Sequence, residues 1–171
     1  MEDVLSYIDD HLGETIDRLI SFCALPSVAA QGVGMADMAE LVRATFQAAG
    51  GSAQLVPTAG YPVVLARFPG HAARTLMFYN HYDVQPPEPL ELWDSPPFEP
   101  HIRDGHLYAR GVADNKGNLV ARLAAIEAWL AVRGELPVNV LFVAEGEEEI
   151  GSPNLGPFAE SHQSELQADG C

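Results

Sequence analysis

Apolar residues recur at helical spacing in three stretches of the chain, residues 3–27, 35–51 and 116–134. The first two are followed or interrupted by proline or glycine, as helix ends usually are. The third is the clearest, and its apolar face is formed by Leu119, Leu123, Ile126 and Leu130. This spacing predicts three amphipathic helices, and a further helix is predicted to begin near Asn154.

Short β-prone runs separate these helices at residues 53–58, 62–68, 75–80 and 137–144. The last run is apolar nearly throughout, which is typical of a strand that is buried on both faces. Strands that alternate with helices predict an α/β domain with a largely parallel sheet. The proline-rich segment 84–100 predicts a surface loop, and Asp104-Gly105 predicts the turn of a small hairpin.

Composition limits the classes of function. The chain has 171 residues, of which 47% are hydrophobic and 19% charged, as in a soluble globular domain. Its net charge of −15 argues against binding nucleic acid, and no apolar run approaches the roughly 20 residues of a membrane span. Two cysteines, Cys23 and Cys171, are too few for a disulfide framework or a Cys-rich zinc site, which favours a reducing, cytoplasmic location.

Polar residues follow two of the predicted strands. The run 75–80 leads into His81 and Asp83, and the run 137–144 leads into a cluster of carboxylates. The cluster comprises Glu145, Glu147, Glu148 and Glu149. Asp114 lies in a Gly-bounded loop just before the clearest of the predicted helices. Because ligands of open α/β sheets bind at the carboxyl ends of the strands, we expect these groups to face one cleft.

One histidine and several carboxylates are suitable ligands for zinc or a similar divalent ion. In an extended His-x-Asp segment both side chains point to the same side, so Asp83 is expected to accept the second ring N–H of His81. Adjacent glutamates diverge, so one can bind metal while its neighbour acts as a general base. Each motif alone has an ordinary explanation, such as a helix N-cap for Asp114 or a solvated surface for the glutamates. Their combination favours a metal site.

Two stretches, "HYDVQPPEPLELWDSPPFEPHIRDGHLYARGVADNKGN" and "EGEEEIGS", resemble a known family. This is the co-catalytic zinc peptidase family that includes carnosine dipeptidases, glutamate carboxypeptidase, succinyl-diaminopimelate desuccinylase and aminoacylase. The carnosine dipeptidase-like branch is the most similar. The resemblance extends from about Thr75 to Ser152. It implies a three-layer α/β/α catalytic domain with a mostly parallel central sheet. Residues 1–171 would form its N-terminal part, with the rest of that domain and a lid domain downstream.

By position, the resemblance implies that His81 binds one metal ion, that Asp114 bridges two, and that Glu149 binds the second. Glu148 would be the general base, and Asp83 would orient His81. The implied ions are two Zn²⁺, with Mn²⁺ or Co²⁺ as alternatives. The family also implies a cis peptide after Asp114.

The expected reaction is hydrolysis of an amide bond in a dipeptide or short peptide. Glu148 would take a proton from the attacking water and return it to the leaving amine. The family pattern also includes a further carboxylate ligand and a distal histidine beyond residue 171. The chain alone is therefore expected to be inactive, and the full-length protein is expected to form a homodimer through the lid domain.

Three alternatives remain open at this stage. The chain could be a truncated, non-catalytic metal-binding domain, or a family deacylase similar to aminoacylase or the desuccinylase. A magnesium-dependent phosphate-ester enzyme is a third possibility, because clustered carboxylates also suit Mg²⁺. A histidine ligand and the lack of a G-x-x-x-x-G-K-[ST] loop argue against the third.

Overall fold

The computed structural model describes all 171 residues, which form five α-helices and six β-strands. The helices are α1 (Glu2–Asp10), α2 (Leu12–Ala24), α3 (Met35–Ala48), α4 (Lys116–Arg133) and α5 (Leu155–Ser161). The strands are β1 (Ser52–Val56), β2 (Val63–Phe68), β3 (Gly70–His81), β4 (His101–Arg103), β5 (His106–Tyr108) and β6 (Leu136–Glu145). Short 3₁₀ turns occur at Ala29–Gln31, Leu90–Leu92 and Glu148–Ile150.

The predicted N-terminal helix is two helices, α1 and α2, which are separated at His11. The ring of His11 stacks on Tyr7 at 3.8 Å between centroids, and its Nδ1 lies 2.8 Å from the carbonyl oxygen of Tyr7. Both helices pack against α4. Since the same helix buries the apolar faces of both, the apolar periodicity continues across the break and does not reveal it.

The main sheet has the order β1-β2-β6-β3, and only the β3–β6 pair is parallel. The α/β class is confirmed, but the expected mostly parallel arrangement is corrected to a mixed sheet. The physical reason lies in the connections. Residues 57–62 make a short link between β1 and β2, and a short link joins neighbouring strands antiparallel, whereas a parallel neighbour needs a longer crossover. The crossover between β3 and β6 contains α4.

The sheet separates two apolar clusters and makes the domain three-layered, as expected. The larger cluster joins α2, α3 and α4 to one face of the sheet and contains Phe22, Met38, Phe46, Leu123 and Phe142. The smaller cluster joins α5 to the other face and contains Val56, Leu65, Leu141, Val143 and Phe158. Burial of β6 on both faces explains why its sequence is apolar nearly throughout.

The parallel register of β3 and β6 pairs His81 with Glu145. Immediately beyond the pair, the N–H of Tyr82 donates to the carbonyl oxygen of Glu145 at 2.8 Å. The residues that follow the two strands therefore leave the sheet side by side. The predicted hairpin is also present, since β4 and β5 pair antiparallel around Asp104 and Gly105, both at positive φ.

Candidate metal centre

His81, at the end of β3, is the centre of a group of polar contacts. Its side chain is only 5% exposed, and its Nε2 lies 2.9 Å from Asp114 Oδ1 and 3.8 Å from Glu148 Oε2. Its Nδ1 lies 3.1 Å from the backbone carbonyl oxygen of Asp83 and 3.4 Å from Asp83 Oδ1. The carbonyl is thus the nearer acceptor, and both contacts orient the ring so that Nε2 faces Asp114.

Asp114 lies in the loop before α4, and its side chain is 72% exposed. The Asp114–Asn115 peptide is cis, as the family resemblance implied. The amide of Asn80, the buried neighbour of His81 on β3, donates to the side-chain oxygen of Asn115. Strand β3 therefore contacts this loop at two adjacent positions, through His81 and through Asn80.

Two glycines, one in this loop and one in the first turn of α4, allow the tight backbone around Asp114. Gly111 has φ +84°, and a Cβ there would lie 2.6 Å from Val84. A Cβ on Gly117 would lie 2.1 Å from the carbonyl oxygen of Val112. Positive φ and close backbone approach both favour glycine, so these residues allow the loop to hold Asp114 beside His81.

The two glutamates Glu148 and Glu149 begin the 3₁₀ turn that follows β6. Their backbone N–H groups donate to the carboxylate of Asp83, at 3.2 Å from Glu148 and 2.9 Å from Glu149. Asp83 is fully buried. A buried carboxylate that accepts two N–H bonds is well satisfied, and here it joins the end of β3 to the glutamate turn.

The four clustered glutamates have different environments. Glu145 is buried and accepts hydrogen bonds from Tyr79 and from Ser152; burial raises its pKa, and those hydrogen bonds lower it in part. Glu147 is buried and accepts from the side-chain amide of Asn154 at 2.8 Å. The carboxylates of Glu145 and Glu147 are therefore both occupied by hydrogen bonds from other side chains. Glu148 and Glu149 are the two that remain available to the His81–Asp114 contact.

One ligand atom from each of His81, Asp114 and Glu149 can be chosen so that all lie within 4.8 Å of one another. Burial lowers the pKa of His81, but Asp83, Asp114 and Glu148 raise it by more, to about 9. The surrounding carboxylates therefore stabilise positive charge at this position. One imidazole with several carboxylates is also a donor set that zinc accepts, so the residues fit a divalent cation.

Lys116 is fully buried and follows Asp114 by two residues. Its Nζ donates to the carbonyl oxygens of Phe22 at 2.9 Å and Leu25 at 2.8 Å, at the C-terminal end of α2. Burial lowers its pKa to about 8. Lys116 thus supplies hydrogen bonds to unpaired helix carbonyls and joins α2 to the loop that carries Asp114.

Other residues singled out by the sequence lie outside this group. His101 and His106 are exposed on the β4–β5 hairpin. Trp93 donates to the carbonyl oxygen of Pro87 at 2.8 Å and packs under Arg110, so it holds the proline-rich loop in place. Nothing in the sequence singles out Asn80 or Gln85 as residues of the site. The only sequence feature that could have indicated them is that both lie close to His81 in the chain.

Residues 77–170 match a family model that is described as Peptidase family M20/M25/M40. This segment contains His81, Asp83, Asp114, Glu148 and Glu149 and makes up more than half of the chain. The chain belongs to this family.

Two relatives support the assignment. The human protein named Beta-Ala-His dipeptidase is 32% identical over 180 residues, which cover 95% of this chain and 36% of that protein. The succinyl-diaminopimelate desuccinylase of Dechloromonas aromatica is 43% identical over 90 residues, or 53% of this chain and 24% of that protein. The chain therefore spans about a third or less of the length of these relatives.

A solved M20 structure confirms the fold. The metallo-carboxypeptidase Sso-CP2 from Sulfolobus solfataricus superposes with a TM-score of 0.87 at 44% identity, over 91% of this chain and 36% of that one. No helix of this M20 chain combines the length and the apolar character that crossing a membrane requires.

Proposed function

We propose that this chain is the N-terminal part of the catalytic domain of an M20 metallopeptidase that hydrolyses amide bonds in dipeptides or short peptides. The observation that carries the proposal is the convergence of His81, Asp114 and Glu149, with Glu148 beside them, in a chain of a peptidase family. The name of the human relative, a dipeptidase, favours small peptides as substrates.

His81, Asp114 and Glu149 would hold the metal, which we propose to be a pair of Zn²⁺ ions, with Mn²⁺ or Co²⁺ as alternatives. A bound dication would supply Lewis acidity and lower the pKa of a bound water. Glu148 has a side chain that is 42% exposed, with Oε2 on the same side of His81 as Asp114. In this position it would accept the proton of the attacking water and return it to the leaving amine. Asp83 would hold both His81 and the turn that bears Glu148.

The other family ligands would lie in the part of the relatives that this chain does not match. Three candidate ligands are few for two ions, so we expect the isolated chain to bind metal without turnover. We further propose a cytoplasmic location and a homodimer for a longer form that includes the lid domain.

A deacylase that removes an acyl group from an amino acid is the second candidate. The desuccinylase of Dechloromonas aromatica favours it, because this chain is 43% identical to that protein over the 90 residues that match. The identity to the human dipeptidase is lower, 32%, although it extends over 180 residues. Both reactions cleave an amide bond, so the same residues serve either. The substrate therefore distinguishes the two candidates.

The decisive test is a chimera in which residues 1–171 replace the matching part of the human dipeptidase. The zinc-loaded chimera is incubated with a panel of dipeptides and with N-succinyl amino acids, beside a Glu148→Gln chimera as control. Turnover of dipeptides by the first protein and not by the second supports the proposal. Turnover of succinyl substrates alone favours the deacylase. A folded, zinc-loaded chimera that cleaves neither class contradicts both.

A further inference from the structure

Gln85 lies four residues after His81 and makes a two-point contact with Glu149. Its side-chain amide Nε2 donates to Glu149 Oε2 at 2.7 Å and to the backbone carbonyl oxygen of Glu149 at 3.2 Å. Gln85 itself is exposed at the surface. The hydrogen bond from Gln85 Nε2 is the one that the carboxylate of Glu149 accepts from the protein.

Glu149 is held at three points, all by residues that follow β3. Its backbone N–H donates to Asp83 Oδ2 at 2.9 Å, while its carbonyl and its carboxylate both accept from Gln85. Its own secondary structure is only the three-residue turn Glu148–Ile150. The position of Glu149 relative to His81 is therefore set mainly by the segment that continues from His81.

The chemistry of the amide suits this position. A glutamate side chain has several rotatable bonds, and a hydrogen bond to one carboxylate oxygen restricts them. The donor is neutral, so it adds no positive charge that would repel a cation. It engages Oε2 and leaves Oε1 available for another partner. Residues that orient metal ligands in this way commonly change metal affinity strongly when they are removed.

We propose that Gln85 is a positioning residue, which holds the carboxylate of Glu149 toward His81 and Asp114 and thereby strengthens the binding of a divalent cation. The inference rests on the metal site of the proposed function, but it concerns a residue to which that function assigns no role. An exposed residue whose amide served only for solubility would leave cation affinity unchanged when replaced.

The test compares the metal-free 171-residue protein with Gln85→Met, which keeps the side-chain length and removes the N–H donor. Gln163→Met is the matched control, because Gln163 is also exposed and lies after α5. Zinc affinity is measured by calorimetry, and visible absorption of bound Co²⁺ reports the ligand geometry. Gln85→Met is expected to weaken zinc binding by about 10- to 100-fold and to change the Co²⁺ spectrum, with no change in thermal unfolding. Gln163→Met should behave as the unaltered protein. Zinc affinity of Gln85→Met within about twofold of the unaltered protein would overturn the inference.

A second measurement needs no metal. Crystal structures of the metal-free protein and of Gln85→Met show directly where the Glu149 carboxylate lies. Movement of this carboxylate away from His81 in the variant supports the inference. A carboxylate that keeps its ligand atom within 4.8 Å of those of His81 and Asp114 overturns it. If the unaltered protein binds no zinc, the proposed function fails, and these structures still decide the role of Gln85.

Discussion

The backbone N–H of Glu149 donates a hydrogen bond of 2.9 Å to the buried carboxylate of Asp83. Through this bond the strand that carries His81 also fixes the turn that carries the two glutamates. The same carboxylate accepts from the N–H of Glu148, so each of its oxygens has a backbone donor. Asp83 therefore connects two parts of the candidate site that are far apart in the sequence.

Replacement of Asp83 by asparagine should lower both stability and metal affinity. The amide has one acceptor oxygen for two backbone donors, and its NH₂ group would face one of them. An unsatisfied buried donor costs about 1–3 kcal/mol, so the free energy of unfolding should fall by that amount in urea denaturation. Asp104→Asn is the control, since Asp104 lies in the hairpin turn with φ 51°, which asparagine also adopts. Equal unfolding free energies for Asp83→Asn and the unaltered protein would contradict this role.

The two adjacent glutamates should respond differently to loss of charge. Glu149→Gln removes a proposed ligand and should weaken zinc binding by about tenfold or more, whereas Glu148→Gln should leave affinity nearly unchanged. In the chimera with the human dipeptidase, Glu148→Gln should abolish turnover while zinc remains bound. Calorimetry and metal analysis measure the two effects. The opposite pattern, with zinc lost in Glu148→Gln alone, would mean that the assignment is shifted by one residue.

Lys116→Met should destabilise the protein, because Lys116 is fully buried and its ammonium group makes hydrogen bonds in the interior. Its loss leaves the carbonyl oxygens of Phe22 and Leu25 without their donor, because Nζ binds both. Hydrogen bonds to charged groups contribute about 1.5–3 kcal/mol, so a decrease of that size is expected in the free energy of unfolding. Arg74→Met is the matched control, since it removes an exposed positive charge. A decrease no larger than that of Arg74→Met would show that Lys116 does not support α2.

The two cysteines should differ in reactivity. Burial raises the pKa of the Cys23 thiol to about 11, so little reactive thiolate forms near pH 8, whereas Cys171 is exposed. Iodoacetamide should therefore modify Cys171 alone in the native protein and both cysteines in urea, as measured by mass spectrometry. Because burial raises the pKa above the usual 9.0, Cys23 contributes stability below pH 9 that is lost as the pH rises toward 11. Rapid native labelling of Cys23 would show that α2 opens locally.

The sequence predicts the elements whose pattern is local. Helix α4, the hairpin around Asp104 and the apolar strand β6 all agree with their periodicity or turn residues. The break at His11 and the antiparallel pairing of β2 with β6 were not predicted, because both depend on packing partners that lie far along the chain.

The same limit applies to the candidate site. Two strand ends and the loop before α4 predict that His81, Glu149 and Asp114 lie together, and the structure brings them into one group. Their roles remain predictions. The sequence does not predict that only two of the four glutamates remain available to the site. Glu145 accepts hydrogen bonds from Tyr79 and Ser152, and Glu147 accepts from Asn154, and these contacts depend on the folded structure. The contact of Gln85 with Glu149 also depends on how two distant segments pack.

Strand β6 lies between β2 and β3, which follow one another in the sequence. During synthesis on the ribosome, β2 and β3 emerge before β6 and cannot yet be joined in one sheet, because the strand that pairs with both has not been made. His81 and Asp114 are then present without Glu149. Because Glu149 follows β6, the three candidate ligands can come together only after β6 has been made and has inserted between β2 and β3.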